Sequence, residues 1–97
     1  MYNISVSKKL KTAKQLERHF KGAANHRRIE ILLLIARQEG INLDGIADTL
    51  SCNIKTISEH TRKLVHAGLV DKKHEGRTVV HSLSPSGKIF HRFIVTF

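Results

Sequence analysis

Apolar residues recur at helical spacing along most of this chain and at strand spacing in one late segment. Leu43, Ile46, Ala47 and Leu50 follow the i, i+3, i+4, i+7 stripe of an amphipathic helix. After a polar Ser51-Cys52-Asn53 break, Ile54, Ile57, Thr61, Leu64 and Val65 share one side of a second helix. Lys55, Glu59, Arg62 and His66 share its opposite side, flanked by Thr56 and Lys63. Asn42 or Asp44 suits the N-cap of the first helix, Asn53 that of the second, and Gly68 its C′ position. A short helix, a tight turn and a helix with a polar, mostly basic outer face predict a helix-turn-helix.

The same patterning extends to both sides. Met1 to Ser7, with alternating Ile4 and Val6, reads as an arm or a swapped strand, and Ser7 can cap a helix running to about Lys21. Its expected inward stripe is Leu10, Ala13, Leu16 and Phe20. Asn25 opens a helix to Gln38 that is apolar nearly all round, from Ile29 through Ala36, and is therefore the expected buried centre. Gly40 ends it, and Ile41 is expected to add one strand residue beside a later hairpin. Leu69 to His74 and Thr78 to Ser84 flank Glu75-Gly76-Arg77, with Gly76 supplying the positive φ of a tight hairpin. Ser84 and Pro85 then open a last helix carrying Ile89, Phe90, Phe93, Ile94 and Phe97 on one face. Burying all five of those residues requires a partner.

Ninety-seven residues allow one domain. The longest apolar run, Ile31 to Ala36, is too short to span a bilayer, and no apolar segment follows the basic start as in a signal peptide. A single cysteine, Cys52, excludes an internal disulfide and fits a reducing, cytoplasmic setting. Charge changes the picture most. Seventeen Lys and Arg against eight Asp and Glu give a net +9, which suits a polyanion, foremost nucleic acid. An anionic membrane is the rival, but no Trp- and Phe-rich amphipathic helix lies near the basic block. Residues 1–28 hold eight of the basic residues and one Glu. Among them Lys11, Lys14, Arg18 and Lys21 form one helical line, either a solvated face or a phosphate-contacting ridge. His26, Arg27 and Arg28 fall in a first helical turn, against the dipole preference, at a cost of a few tenths to about 1 kcal/mol. A phosphate near Arg27 would offset that cost.

The run I-K-T-I-S-E-H-T-R-K-L-V-H-A-G-L-V from Ile54 to Val70, followed by a basic hairpin and Leu83-Ser84-Pro85, resembles the ArsR type of winged helix-turn-helix regulator. The resemblance spans roughly residues 25–86. It implies a mostly α winged helix-turn-helix DNA-binding domain with a small β-hairpin. Within residues 1–97 this assigns 1–24 as a basic N-terminal arm and helix, 42–68 as the helix-turn-helix, 69–84 as the wing and 85–97 as a C-terminal dimerisation helix. Lys55, Thr56, Ser58, Glu59 and Arg62 occupy positions that face DNA in that family. The wing residues Lys72, Lys73, His74 and Arg77 would lie along backbone or minor groove. Relatives dimerise through their terminal helices, which here makes Leu10, Phe90, Phe93, Ile94 and Phe97 the candidate interface. A two-fold dimer would set its recognition helices about one DNA turn apart, roughly 34 Å.

Departures from the family pattern fall at four places. Glu59 stands where most relatives have Arg or Gln. It either accepts from cytosine N4 or pairs with Arg62 or Lys63 along the helix, and repulsion by phosphates favours the pair. Thr61 replaces the usual Leu, with its hydroxyl expected to return to the Ile57 carbonyl. His60, at the edge of that face, reads as structural. Cys52 takes the place of a core-plugging Leu and acts as a small hydrophobe, a redox-responsive thiol beside Lys55 being the alternative. The cysteine pair of the family's metal sensors corresponds here to Asn42 and Asp44, and the last helix offers His91 alone, so neither metal nor cofactor is expected. No Gly-rich phosphate loop, H-E-x-x-H, G-x-S-x-G or carboxylate cluster argues for an enzyme. The resulting expectation is a cytoplasmic homodimer binding specific double-stranded DNA in transcriptional regulation, with no membrane partner. Two alternatives stand beside it: a non-specific DNA-coating protein led by the first helix, and a winged helix that binds protein or RNA.

Overall fold

A computed structural model describes residues 10–97. Five helices and one hairpin follow in the order α1 (Ala13–Ala23), α2 (His26–Arg37), α3 (Leu43–Leu50), α4 (Ile54–His66), β1 (Val70–Glu75), β2 (Thr78–Leu83) and α5 (Pro85–Thr96). Side-chain oxygens cap all five N-termini, each satisfying backbone N–H groups that the helix leaves orphaned. Asn25 accepts from Arg27 and Arg28, Asn42 from Gly45, Asn53 from Lys55 and Thr56, and Ser84 from Gly87. The first helix departs from expectation. Ser7 lies outside the described residues, and the cap is Thr12, which forms a reciprocal capping box with Gln15. Leu10 and Lys11 therefore precede the helix rather than ride on it.

α2 forms the centre of the core, as its composition predicts. Ile31, Leu32, Leu34 and Ile35 are at most 2% exposed, each worth about 1.5–3 kcal/mol of apolar burial. Its wrapping is not complete, because Ile29 and Leu33 face outward. Ile46 and Ala47 of α3, and Ile57 and Leu64 of α4, close over it from one side, with Leu69, Val70 and Leu83 from the base of the hairpin. Ile54, at the first position of α4, sits outside this core, 43% exposed. The inward stripe expected for the first helix is also corrected. His19 and Ala23 are its buried residues, whereas Leu16 and Phe20 are about half exposed. The physical reason is a close crossing: a Cβ on Gly22 would lie 2.1 Å from the Ala67 Cβ, so α1 meets α4 along its Gly22 side.

The hairpin is antiparallel, pairing Val70 with Leu83 through Glu75 with Thr78. Gly76, at φ 65°, and Arg77 make the two-residue turn. Ile41 adds the single bridge expected of it, opposite His81. Its carbonyl accepts from both the backbone N–H and the ring Nδ1–H of His81, each at 3.0 Å. α5 starts hard against the end of α4, where a Cβ on Gly87 would overlap the Leu69 carbonyl oxygen at 1.9 Å. Phe90 and Ile94 then pack on the core, while Ile89, Phe93 and Phe97 remain exposed.

Polar groups on the inner side and edge of α4 break the apolar pattern. Thr61 is 2% exposed, and its hydroxyl has no hydrogen-bond partner, so the expected return to the Ile57 carbonyl does not form. Arg28 Nη1 reaches His60 Nδ1 at 3.3 Å, which requires a lone pair on that nitrogen. Burial lowers the His60 pKa below 6.5, and the neighbouring Arg28, Lys63 and Arg27 charges lower it further against a small opposing pull from Glu59.

Two outcomes follow from this layer. Thr61→Val replaces the orphaned hydroxyl with a methyl of the same shape. It should raise stability by about 1 kcal/mol, read as a higher denaturation midpoint with unchanged slope. A depressed histidine pKa means that the unfolded chain takes up a proton which the folded chain resists. Stability contributed by His60 should therefore be lost as pH falls through 6.5 toward the folded-state value. His60→Gln should flatten that part of a stability profile between pH 7 and 5, both proteins being unfolded by urea at each pH.

Candidate nucleic-acid interface

The turn between α3 and α4 presents α4 outward. Ser51 closes α3 in the left-handed region at φ 51°, and the Cys52 N–H returns to the Ala47 carbonyl at 3.0 Å. Cys52 is half-buried and packs against the core, the role of a small hydrophobe. Ile57, Thr61 and Leu64 hold the inner side of α4, and Lys55, Thr56, Ser58, Glu59 and Arg62 all stand exposed on the other. Glu59 pairs with Arg62 at 2.5 Å, the intrahelical alternative raised by their spacing. The hydrogen bond and charge of Arg62 hold the Glu59 carboxyl below its usual pKa.

Lys72, Lys73, His74 and Arg77 are exposed on the hairpin. The strand register divides them. Lys72 is opposite His81 and lines a groove of about 190 Å³ between α4 and the hairpin, together with Ser58, Thr61 and Arg62. Lys73 is opposite Val80 and faces the other way. One edge of α4 and one face of the hairpin thus border a shared groove, with Arg62 and Lys72 at its polar seam and Leu43, Val65 and Val79 also in its lining.

The four-residue basic line expected on the first helix is shorter in the fold. Lys14, Arg18 and Lys21 are exposed along α1, with Lys21 paired to Glu17 at 3.3 Å. Lys11 instead borders an apolar groove of about 240 Å³ between α1 and α5, floored by Leu16, Phe20, Phe90 and Phe93. Arg27 is engaged with Glu30 at 2.8 Å. Its neighbour Arg28 meets Arg18, Lys21, Lys63 and His66 around a second cleft where α1, α2 and α4 converge. Spacing along the sequence puts Arg18 and Lys21 on one line and marks the basic first turn of α2, but it does not bring them together with Lys63 and His66.

Among the described residues no group of three His, Cys, Asp or Glu side chains is placed to hold a metal. The Asn42 side chain is committed to capping α3, and Asp44 is exposed. None of the described helices is long and apolar enough to cross a membrane.

A family model described as HVO_A0114 matches residues 23–83, most of the chain. No curated protein matches it. Among solved structures, the chain is similar to the homodimeric winged helix-turn-helix DNA-binding domain of Mb0332 from Mycobacterium bovis, described as a possible ArsR-family transcriptional regulator. That pair shares 27% identity over 86% of this chain and 77% of the other, with a TM-score of 0.79. HlyU from Vibrio cholerae N16961 matches at 24% identity over 89% and 94% of the two chains, with a TM-score of 0.78. An ArsR-like transcriptional regulator from Rhodococcus sp. RHA1 matches at 20% over 86% and 77%, with a TM-score of 0.72. At those lower identities the likeness is one of fold. The matched stretch takes in the whole of α2, α3, α4 and the hairpin, and on that evidence the chain belongs to the HVO_A0114 family and carries the winged helix-turn-helix of the ArsR-type regulators.

Proposed function

We propose that this protein is a transcriptional regulator that binds specific double-stranded DNA as a homodimer. The observation that carries the reading is the exposed polar side of α4 standing beside a basic hairpin, in a fold shared with a domain described as DNA-binding. α4 enters the major groove, where Lys55, Thr56, Ser58, Glu59 and Arg62 read or flank base edges. Lys72, Lys73, His74 and Arg77 hold backbone, fixing register without reading sequence. The Glu59–Arg62 pair is solvent-exposed and hence weak, so a guanine edge can draw Arg62 away from its partner. Lys14, Arg18 and Lys21 extend the positive field and speed encounter with the duplex.

The apolar groove between α1 and α5 supports the dimer. Phe20, Phe90, Phe93 and Phe97 form a chain of edge and tilted contacts with centroids 5.4–6.2 Å apart, yet Phe93 is 49% and Phe97 98% exposed. A contiguous aromatic face of this kind marks an association surface. Mb0332, a homodimer, is the precedent among similar structures. Leu10, Phe93 and Phe97 would be covered by the partner, while Phe90 and Ile94 serve both interface and core.

Selection of bound duplexes from a random pool at physiological salt tests the main reading. Recovery of a two-fold symmetric site supports it, and retention without a shared motif would point to a non-specific coat. On the recovered site, Arg62→Ala should lower the preference over random DNA by about 1–3 kcal/mol. Lys73→Ala with Arg77→Ala should weaken all duplexes alike and flatten the salt slope by about 1 to 2 units. For assembly, Phe93→Ser with Phe97→Ser should shift sedimentation from dimer to monomer. An unaltered protein that is already monomeric at micromolar concentration would rule the dimer out.

A further inference from the structure

The cleft at the meeting of α1, α2 and α4 has a composition that the reading surface does not require. Arg18 and Lys21 from α1, Arg28 from the first turn of α2, and Lys63 and His66 from the last turn of α4 border a space of about 370 Å³. Among the described residues no carboxylate lines it, and Glu17, an exposed acid on α1, pairs with Lys21 at 3.3 Å. Like charges from three helices held in one concavity repel each other, and a single domain gains nothing by keeping them there. The walls are rigid. Gly22 against Ala67 fixes the α1–α4 crossing, and the His19 ring is bonded to the Ala67 carbonyl at 2.7 Å.

Arg28 supplies a second, independent sign. Its Nη1 is spent on His60, but its Nε is buried with no acceptor at all. A guanidinium that its protein neighbours leave short of acceptors, at the border of a cationic hollow, is one that an oxyanion can partner by charge-assisted hydrogen bonding once the side chain turns toward it. Burial lowers the His60 pKa, and the charges of Arg28, Lys63 and Arg27 lower it further against the pull of Glu59, which fits a positive potential along this side of α4.

We propose that this three-helix cleft is a phosphate-binding site, taking one or two adjacent phosphate groups from the backbone of a duplex or from a free oligophosphate. Lys63 and His66 stand one helical turn beyond Glu59 and Arg62, so the cleft continues the outer side of α4. A backbone phosphate beside the α4 contact, or a free pyrophosphate competing with it, meets the same groups. The site extends the DNA-binding reading, but its first test does not depend on it.

That test is calorimetric titration of the full chain with sodium pyrophosphate at low salt, without DNA. Saturable binding of one pyrophosphate per chain is expected. Arg28→Gln with Lys63→Gln should weaken it roughly tenfold or more, each lost charged hydrogen bond contributing. Lys88→Gln with Arg92→Gln, which removes the same charge from α5, should leave it unchanged. If Arg28→Gln impairs folding, Arg18→Gln with Lys63→Gln changes only exposed side chains and should show the same loss. Non-saturating uptake, or equal weakening by the α5 variant, would overturn the site in favour of bulk charge. A second arm adds a labelled duplex at constant ionic strength. Displacement of duplex by pyrophosphate from the unaltered protein, but not from the cleft variant, identifies the backbone as the source. Simultaneous binding of both identifies a free oligophosphate. A protein that binds no duplex would defeat the regulator reading and leave the pyrophosphate result standing.

Discussion

Three consecutive carbonyls at the end of α4 hold the molecule together. A helix leaves its last carbonyls without partners, and here the chain continues past Gly68, at φ 76°, directly into a strand. The Ala67 oxygen accepts from the His19 ring, the Gly68 oxygen from the Ser84 hydroxyl at 2.6 Å, and the Leu69 oxygen from the Ser84 N–H at 3.0 Å. Ser84 also caps α5 through Gly87. One short junction thus joins α1, α4, both strands and α5. Because a carbonyl only accepts, His19 must carry its proton on Nδ1, and a side chain unable to donate there would leave a buried oxygen unpaired.

Everything exposed on α4 inherits its aim from that junction. The inner side of the helix is fixed by Ile57 and Leu64, but those contacts alone would allow rotation and sliding. Tying the C-terminal end while Asn53 caps the N-terminal end sets both its direction and its register. The hairpin is set by the same ties, so Arg62 and Lys72 meet at one seam although ten residues separate them. Binding surfaces built on such rigid elements lose less entropy on association than surfaces that must first be ordered.

Local chemistry was readable wherever one residue decides a backbone state. Asn25, Asn42, Asn53 and Ser84 have the side chains that N-caps demand, and Gly68 and Gly76 both take positive φ. The single bridge at Ile41 and the Glu59–Arg62 pair were also visible in spacing. What spacing could not reveal is which side of α1 turns inward. Leu16 and Phe20 are the obvious apolar candidates, but the close contact at Gly22 and the waiting Ala67 carbonyl select His19. The hydroxyl of Thr61 depended on a rotamer, and the basic cleft on the meeting of three helices; neither has a one-dimensional signature. The Lys11 position failed for a simpler reason, since Thr12 starts the helix just beyond it.

The hairpin is clamped at one end only. At its base Ile41 bonds twice to His81, and Val70 and Leu83 are buried; from Asp71 to Thr78 every residue is exposed. Substitutions in the distal part therefore touch nothing that the rest of the chain needs in order to fold. Mutation can recharge, shorten or lengthen the tip while the scaffold stays intact. A lineage carrying this architecture can in that way acquire new preferences at its periphery without first surviving an unstable intermediate.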